Sequence, residues 1–261
     1  MIFVKKDTIP VPYCAGREDG AGPITMKVES ADQEKGNRYN YEKGFTGKAA
    51  ISGRIMDQTL NYYKENAAGF AAGTVNADLS ETQERFLTKL QPGAAILDLG
   101  CGSGRDTKVF LARGYRVTAA DGSPELCRIA SAYTGIPVRL MLFNELADAG
   151  AYDGIWACAS ILHVPSAELP DVFRRMITAL RPGGIIYASF KYGTFEGERN
   201  GRRFTDFTGE TFAAFLKQFP ELTLEDQWIS ADVRPGRSDE KWLNVILRKD
   251  HSASLRNASS Y

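Results

Sequence analysis

The residues best suited to chemistry in this sequence are an acid followed by alternating glycines. Asp98 is followed by Gly100, Gly102 and Gly104, directly after a short apolar run. Glycines at every second position let the backbone turn tightly and let a ligand lie directly against main-chain atoms. Asp121 lies 21 residues beyond Gly100, the spacing at which a carboxylate meets the hydroxyls of a ribose. These residues predict a nucleoside-binding site.

Two classes of nucleoside ligand bind at turns of this kind. The dinucleotide fingerprint requires a third glycine at position 105, where this chain has Arg105. Asp98 would repel a pyrophosphate, but it suits the ammonium group of an amino acid. We therefore expect a ligand that combines a ribose, an adenine and a cationic amino acid.

The elements around this turn alternate between short apolar strands and capped helices from about residue 58 onward. Ala95–Leu99 is a predicted buried strand, and the glycine turn after it opens a helix. No helix separates the last two predicted strands, 222–229 and 242–247, so they should pair antiparallel. The pattern predicts an α/β fold with a doubly wound, mostly parallel sheet, and the turn lies at the carboxyl edge of that sheet.

Residues 94–190 resemble the class I S-adenosylmethionine-dependent methyltransferases in the Asp-x-Gly-x-Gly-x-Gly pattern and the acid Asp121 at the end of the next strand. Ala157–Pro165, Leu180–Gly184 and Ser189–Gly193 further resemble bacterial small-molecule members related to tellurite-resistance methyltransferases. The resemblance implies a seven-stranded sheet in the order 3-2-1-4-5-7-6 with strand 7 antiparallel. It also implies S-adenosylmethionine as the methyl donor and S-adenosylhomocysteine as the product.

The resemblance also implies which residues bind the donor. Asp98 would hold the methionine ammonium through water, the turn glycines would line the methionine and ribose, and Asp121 would take the ribose hydroxyls. The family often ends strand three with an acid that accepts the adenine amino hydrogen. Leu142 stands there in this chain, so Asn144, Glu145 or a main-chain carbonyl would take that role. The donor-binding residues implied are Asp98, Gly100, Cys101, Gly102, Gly104, Asp121, Gly122, Ser123, Asn144, Glu145 and Ala159.

Two side chains are candidates for a catalytic role. Methyl transfer from a sulfonium needs an in-line nucleophile, and a base only where that nucleophile is protonated. His163, one of two histidines, follows predicted strand four and is the candidate base; alternatively it orders the turn there. Tyr63 is the second candidate, and Tyr62 beside it a candidate for substrate binding, because similar enzymes fold this segment over the donor as a lid. The alternative is an aromatic face that packs a helix onto the sheet.

A basic segment follows the fifth predicted strand and is predicted to be a glycine-broken loop at the ligand edge of the sheet. Lys191, Arg199 and Arg202 lie in it and are candidates for holding an anionic acceptor or the donor carboxylate. The alternative is a solvated charged loop with internal ion pairs.

The composition excludes several functional classes. Thirty-two basic side chains balance thirty-two acidic ones, so no global positive field exists to gather nucleic acid. No apolar run reaches the length of a membrane span, and the first residues lack a secretory signal. Four cysteines without CxxC spacing argue against a zinc cluster, so we expect no metal. We expect a cytoplasmic protein.

We divide the chain into three parts: an irregular or β-rich N-terminal appendage of unassigned role (1–57), a methyltransferase domain (58–249) and a polar tail (250–261). The domain is expected to methylate a small-molecule acceptor, anionic if the basic segment binds it, by direct in-line displacement. The oligomeric state is not predicted. The alternatives are a non-catalytic binding module or partner subunit that keeps the fold, and a methyltransferase of RNA or protein.

Overall fold

The elements of the fold are those of a computed structural model, which describes residues 48–251, with side chains from residue 58 onward. The helices are α1 (Lys48–Thr74), α2 (Ser80–Leu87), α3 (Arg105–Ala112), α4 (Pro124–Thr134), α5 (Leu169–Ala179) and α6 (Gly209–Leu216). The strands are β1 (Ala95–Leu99), β2 (Arg116–Asp121), β3 (Val138–Leu140), β4 (Tyr152–Ala157), β5 (Leu180–Lys191), β6 (Glu196–Arg199), β7 (Arg202–Thr205), β8 (Leu222–Ala231) and β9 (Lys241–Lys249). Short 3-10 helices lie at Phe143–Glu145 and Ile161–His163.

Seven of these strands form one sheet in the order β3-β2-β1-β4-β5-β9-β8. Strands β1 to β5 pair in parallel, whereas β9 runs antiparallel to both β5 and β8. With β6 and β7 left out of the numbering, this is the order 3-2-1-4-5-7-6 with strand 7 reversed. The predicted fold class is therefore confirmed.

Alternate residues of the central strands serve two cores, one on each face of the sheet. On one face Ile155 packs in a cluster with Phe173 of α5 and Phe212 of α6. On the other face Trp156 packs with Phe86 of α2 and Phe110 of α3. Because both faces are covered by helices, the buried parts of the central strands are predominantly apolar, as expected for a parallel sheet.

Strands β6 and β7 form a separate two-stranded hairpin between β5 and α6. The glycine-broken loop predicted for residues 191–203 was therefore wrong, because most of this stretch is paired in strands. The register pairs Arg199 with Arg202 next to the hairpin turn at Asn200 and Gly201, where both residues have a positive φ. The hairpin therefore fixes the positions of the basic residues that the sequence placed in a loop.

Helix α1 begins at Lys48, so the boundary predicted at residue 58 falls within a helix. Residues 48–57 are helical rather than irregular, and the rest of the predicted appendage lies outside the described residues, as does the tail beyond residue 251. Across residues 48–251, none of the helices combines the length and apolar character required to cross a membrane.

Candidate active site

A cavity of about 630 Å³ lies at the carboxyl edge of the sheet. One side of it is formed by the ends of β1, β2 and β4 together with helix α1. The other side is formed by the end of β5, the β6–β7 hairpin and the β8–β9 pair. Its volume is in the range of pockets that enclose small molecules and cofactors.

The glycine turn lines this cavity with bare backbone. Gly100 has φ +81°, and a Cβ added there would lie 2.4 Å from the Cβ of Ser160. Gly102 has φ +55°, and its added Cβ would lie 3.1 Å from the Phe70 ring of α1. A side chain at either position would be strained and crowded, so glycine keeps the main chain accessible from the cavity.

Gly104 has a different role from the other two turn glycines. It does not line the cavity, and an added Cβ would lie 2.7 Å from Cγ2 of Thr134 in α4. Its φ of +80° and its missing side chain allow α3 to begin against α4. We therefore correct the donor-binding role predicted for Gly104 to a packing role.

Asp121 reaches the cavity from the end of β2, and backbone amides orient its carboxylate. The Gly102 N–H donates to Oδ2 and the Ser123 N–H donates to Oδ1, both at 2.9 Å. Each carboxylate oxygen can accept more than one hydrogen bond, so capacity for two further donors remains. Burial raises the pKa of this carboxyl group.

Asp98 lies behind the turn rather than in the cavity. It is buried, is absent from the cavity lining, and accepts a 2.5 Å hydrogen bond from the Thr107 hydroxyl of α3. Burial raises its pKa to about 8. The direct partner of Asp98 is therefore a protein hydroxyl, and the water-mediated contact to the donor ammonium that the resemblance implies stays a prediction.

The wall beyond β3 is apolar at the place where the sequence suggested a polar contact. Met141, Leu142 and Phe143 line the cavity, but Asn144 and Glu145 do not. Oε2 of Glu145 accepts the Leu142 N–H at 2.8 Å, which turns that carboxylate back onto its own chain. We correct the predicted adenine contacts of Asn144 and Glu145 accordingly.

Three further predicted donor residues line the cavity and one does not. The lining includes Cys101, Gly122 and Ala159. Ser123 instead caps α4, where its hydroxyl accepts the Leu126 N–H at 3.3 Å. The Ser123 side chain therefore stabilises a helix, while its main-chain N–H orients Asp121.

Tyr63 and His163 meet at the wall between α1 and the turn after β4. The Tyr63 hydroxyl lies 2.9 Å from Nε2 of His163, and His163 Nδ1 lies 2.5 Å from the carbonyl oxygen of Arg203. A carbonyl only accepts, so Nδ1 carries the proton and Nε2 accepts the Tyr63 O–H. Burial lowers the pKa of His163 to about 4 and raises that of Tyr63.

Tyr63 faces the cavity and Tyr62 does not. The two rings meet edge to face at 5.5 Å, and the guanidinium of Arg202 lies 4.5 Å from the centroid of the Tyr62 ring. The Tyr62 ring is therefore placed to support Tyr63 and Arg202 and does not itself line the cavity. The sequence could not decide which of the two tyrosines faces inward.

The three predicted cations have different partners. Lys191 forms ion pairs with Asp232 and Glu240, and Arg199 forms one with Asp206. These two follow the alternative of internal ion pairs that the sequence analysis left open. Arg202 lines the cavity without a carboxylate partner in the part of the chain described here.

Several lining residues were not singled out from the sequence. Thr59 and Phe70 of α1 cover the cavity, and the Thr59 hydroxyl accepts the Arg203 N–H at 3.1 Å. Arg105 and Asp106 line it as a buried ion pair. In the sequence Arg105 served only to exclude a dinucleotide, and nothing there indicated its ion pair with Asp106. Residues 58–251 contain no group of three His, Cys, Asp or Glu side chains arranged to hold a metal ion.

Comparison with known proteins agrees with this architecture. Residues 96–184 match the methyltransferase domain family. The crystal structure of Burkholderia thailandensis 1,6-didemethyltoxoflavin-N1-methyltransferase, with bound 1,6-didemethyltoxoflavin and S-adenosylhomocysteine, superposes with a TM-score of 0.63 at 22% identity. The match covers 80% of this chain and 93% of that one. The protein has a Rossmann-like methyltransferase fold.

Curated relatives are similar in sequence to part of this chain. Ubiquinone biosynthesis O-methyltransferase of Xanthomonas axonopodis pv. citri is 34% identical over 41% of this chain and 47% of its own length. The protein of the same name from Psychrobacter arcticus is 29% identical over 63% of this chain and 64% of its own. The chain thus spans about half of the first relative's length and less than two thirds of the second's.

Proposed function

We propose that the protein is an S-adenosylmethionine-dependent methyltransferase that acts on a small-molecule acceptor. The observation that carries this proposal is Asp121, which is oriented by two backbone amides and faces the cavity beside the glycine turn. A carboxylate placed in this way suits the two hydroxyls of a ribose. The match of residues 96–184 to the methyltransferase domain family supports the same conclusion.

The residues present fit such a donor. Gly100 and Gly102 leave room along the main chain that a Cβ would fill. Leu142 and Phe143 offer an apolar wall for the adenine next to the end of β2. When bound, S-adenosylmethionine supplies a methyl group on a sulfonium, which carries its own leaving group. The work left to the protein is to bind, orient and exclude water.

Helix α1 supports the exclusion of water. It contributes Thr59, Tyr63 and Phe70 to the lining and is tied to the hairpin through the hydrogen bond from Arg203 N–H to Thr59. Because α1 contacts both the hairpin and the glycine turn, it covers both sides of the cavity at once. This placement of α1 supports the lid that the resemblance implies for the segment around Tyr63.

We further propose that Tyr63 and His163 handle the proton of a hydroxyl acceptor. Nε2 of His163 is unprotonated because Nδ1–H donates to Arg203, and it accepts the Tyr63 O–H. An acceptor hydroxyl that donates to the Tyr63 oxygen would pass its proton along this hydrogen bond to Nε2 only as the methyl group is transferred, because the lowered pKa of His163 makes Nε2 too weak a base to ionise the hydroxyl beforehand. Transfer to oxygen is also the activity named for the ubiquinone biosynthesis O-methyltransferases to which the chain is similar.

Donor binding can be tested directly by calorimetry with S-adenosylmethionine and S-adenosylhomocysteine. Asp121→Asn should weaken the affinity for both by about 1 to 3 kcal/mol, because hydrogen bonds to a charged group are lost. Asp171→Asn is the matched control, since Asp171 lies exposed on α5 and pairs with Arg175. Equal affinities for the wild-type protein and Asp121→Asn would remove the ribose assignment.

Activity is tested by a screen of small acceptors that reads out S-adenosylhomocysteine. Formation of this product with a phenol or other hydroxyl compound supports the proposal. Donor binding without turnover across small molecules, RNA and protein substrates would favour the non-catalytic binding module. The relation to tellurite-resistance methyltransferases and the cytoplasmic location stay predictions.

A further inference from the structure

The cations around the cavity are almost all neutralised within the chain. Ion pairs join Arg105 to Asp106, Arg199 to Asp206, Lys191 and Arg234 to Asp232, and Arg237 to Glu240. Among lining cations, only Arg202 and the exposed Lys241 have no carboxylate partner within residues 58–251. Among the cavity-lining cations of residues 58–251, Arg202 is thus the one that is both partly desolvated and left for a ligand.

Aromatic rings hold the Arg202 guanidinium in place. Its central carbon lies 4.5 Å from the ring centroid of Tyr62, 5.3 Å from that of Phe204 and 5.9 Å from that of Tyr63. Its Nε is buried and has no hydrogen-bond partner in the described part of the chain. Within the described residues, Nη1 of Arg202 donates a hydrogen bond to the Tyr63 hydroxyl at 3.5 Å. A fork of five N–H donors with so few acceptors suits a carboxylate.

Asp206 is a second incompletely bonded group in the same wall. Its side chain is 3% exposed, and Oδ2 accepts a hydrogen bond from Arg199 at 2.7 Å. Oδ1 is buried, and within residues 58–251 no donor reaches it. A buried carboxylate oxygen without a donor is costly, so a hydroxyl or amino group of a ligand would stabilise it.

Arg202 and Arg199, the ion-pair partner of Asp206, both lie against the Phe204 ring. The guanidinium carbons of Arg202 and Arg199 lie 5.3 Å and 5.7 Å from the centroid of Phe204, and Arg199 holds Asp206. Phe204, Arg202 and Asp206 all line the cavity. We infer that these three residues, the Arg202 subsite, bind a methyl acceptor that carries both an anionic group for Arg202 and a hydroxyl or amino group for Asp206.

This inference rests on the proposed function. The methyl donor is a second ligand that carries the two kinds of group that the subsite would bind. The amino-acid end of the donor also carries a carboxylate and a hydrogen-bond donor. We assign the subsite to the acceptor because the hairpin lies on the β5 side of the cavity, whereas the glycine turn and Asp121 lie at the ends of β1 and β2. The Tyr63 ring contacts both Arg202 and Phe70, which covers Gly102, and so stands between the two sides.

The test compares charged probes with neutral isosteres in the presence of S-adenosylhomocysteine. 4-Hydroxybenzoate, 4-aminobenzoate and 3-hydroxybutyrate are each titrated against the corresponding amide, by calorimetry. The wild-type protein should bind at least one acid tenfold or more tightly than its amide. Arg202→Gln should remove this preference, and Arg202→Lys should keep part of it. Asp206→Asn should weaken 4-hydroxybenzoate more than benzoate.

Arg128→Gln is the matched control, since Arg128 is exposed on α4 and away from the cavity lining; it should keep the full preference. Unchanged S-adenosylhomocysteine affinity in Arg202→Gln would show that the variant is folded. No preference for any acid over its amide in the wild-type protein would overturn the inference.

A second titration decides whether the donor occupies the subsite. It uses 5′-methylthioadenosine, which lacks the amino-acid end of S-adenosylhomocysteine. If Arg202→Gln weakens S-adenosylhomocysteine tenfold but leaves 5′-methylthioadenosine unchanged, the subsite belongs to the donor and the acceptor assignment is overturned. A wild-type protein that binds neither S-adenosylhomocysteine nor 5′-methylthioadenosine would contradict the proposed function. If it still bound the acids more tightly than their amides, the anion-binding subsite would be supported. The two proposals therefore fail in distinguishable ways.

Discussion

The Tyr63 hydroxyl donates to Nε2 of His163 across 2.9 Å, although 100 residues separate them in the chain. This hydrogen bond joins helix α1, which covers the cavity, to the turn after β4, which forms part of its wall. The opposite nitrogen of the imidazole is committed to the Arg203 carbonyl in the hairpin. One neutral histidine therefore holds together the three elements that enclose the cavity.

Tyr63→Phe should separate catalysis from donor binding. The variant keeps the ring packed against Phe70 but loses the hydroxyl that would take the acceptor proton. We expect kcat with a hydroxyl acceptor to fall by roughly 10²-fold, the lower range for general acid–base catalysis, with S-adenosylhomocysteine affinity within twofold of wild type. The loss should shrink as pH exceeds the pKa of the acceptor, because an ionised acceptor needs no base.

The matched control for this experiment is Tyr133→Phe, at a half-exposed position on α4. Its kcat should equal that of the wild-type protein. A Tyr63→Phe enzyme with unchanged kcat at every pH would mean that the hydroxyl only positions α1.

His163 should make the folded protein sensitive to acid. Burial lowers its pKa from 6.5 to about 4, so the unfolded chain takes up a proton below pH 6.5 that the native state refuses until about pH 4. The stabilisation that depends on neutral His163 is present above pH 6.5 and is lost as the pH falls through this window. A shift of this size corresponds to roughly 3 kcal/mol.

Urea unfolding at pH 7.5, 5.5 and 4.5 measures this effect. The free energy of unfolding of wild type, minus that of His163→Asn, should decrease from pH 7.5 to pH 4.5. Both proteins share all other titrating groups, so their acid sensitivity cancels in the difference. A difference that stays constant across the three pH values would mean that His163 titrates alike in both states.

The sheet could be predicted because its signals are local. Apolar runs, capping residues and the glycine turn lie within single segments, and the parallel arrangement then follows from the alternation of strands and helices. Asp121 was found for the same reason, since it ends a strand at a fixed distance from Gly100. Leu142 and Glu145 also carried a local signal, because an acid three residues beyond a helix start commonly bonds back to that start.

The cations could not be sorted from the sequence because their partners are distant. Lys191 pairs with Asp232, 41 residues away. Asp232 directly follows β8, and it comes back to the end of β5 because β9 pairs with both β8 and β5. Arg202 has no carboxylate partner in the described part of the chain, and its guanidinium lies among aromatic rings. No residue spacing in the sequence reveals this enclosure. Burial and pairing are tertiary properties, so the sequence indicated a basic segment but not which of its members faces a ligand.

Asp98 should have the opposite pH behaviour to His163. Burial raises its pKa to about 8, so the native state holds a proton that the unfolded chain releases near pH 3.8. The corresponding stability is fully present below pH 3.8 and is lost as the pH rises towards 8. Relative to Asp98→Asn, which cannot ionise, the wild-type protein should therefore become steadily less stable from pH 5 to pH 8.

Asp153→Asn provides the control for this titration. The Ala95 N–H and Arg181 bind the Asp153 carboxylate, and its pKa is lowered. Its contribution to stability is complete above pH 5, so the difference between wild type and Asp153→Asn should not change between pH 5 and pH 8. Thermal or urea unfolding over this range distinguishes the two acids, and parallel curves for both would contradict the raised pKa of Asp98.

Gly100 and Gly93 allow backbone strain to be separated from steric exclusion. Both have a positive φ, +81° and +73°, but a Cβ at Gly93 meets nothing within 4 Å. Gly93→Ala should lose about 1 to 2 kcal/mol from the left-handed backbone alone. Gly100→Ala should lose more than this and also lose donor binding, because its Cβ would lie 2.4 Å from the Cβ of Ser160.

The double variant Gly100→Ala/Ser160→Gly removes the atom that causes this clash. It should recover part of the stability lost in Gly100→Ala, less the contribution of the 2.7 Å hydrogen bond from the Ser160 hydroxyl to the Leu99 carbonyl. Urea unfolding of Ser160→Gly alone gives the size of that contribution. If Gly100→Ala and Gly93→Ala lose the same free energy of unfolding, the turn can move away from Ser160, and glycine is needed at position 100 for its backbone conformation alone.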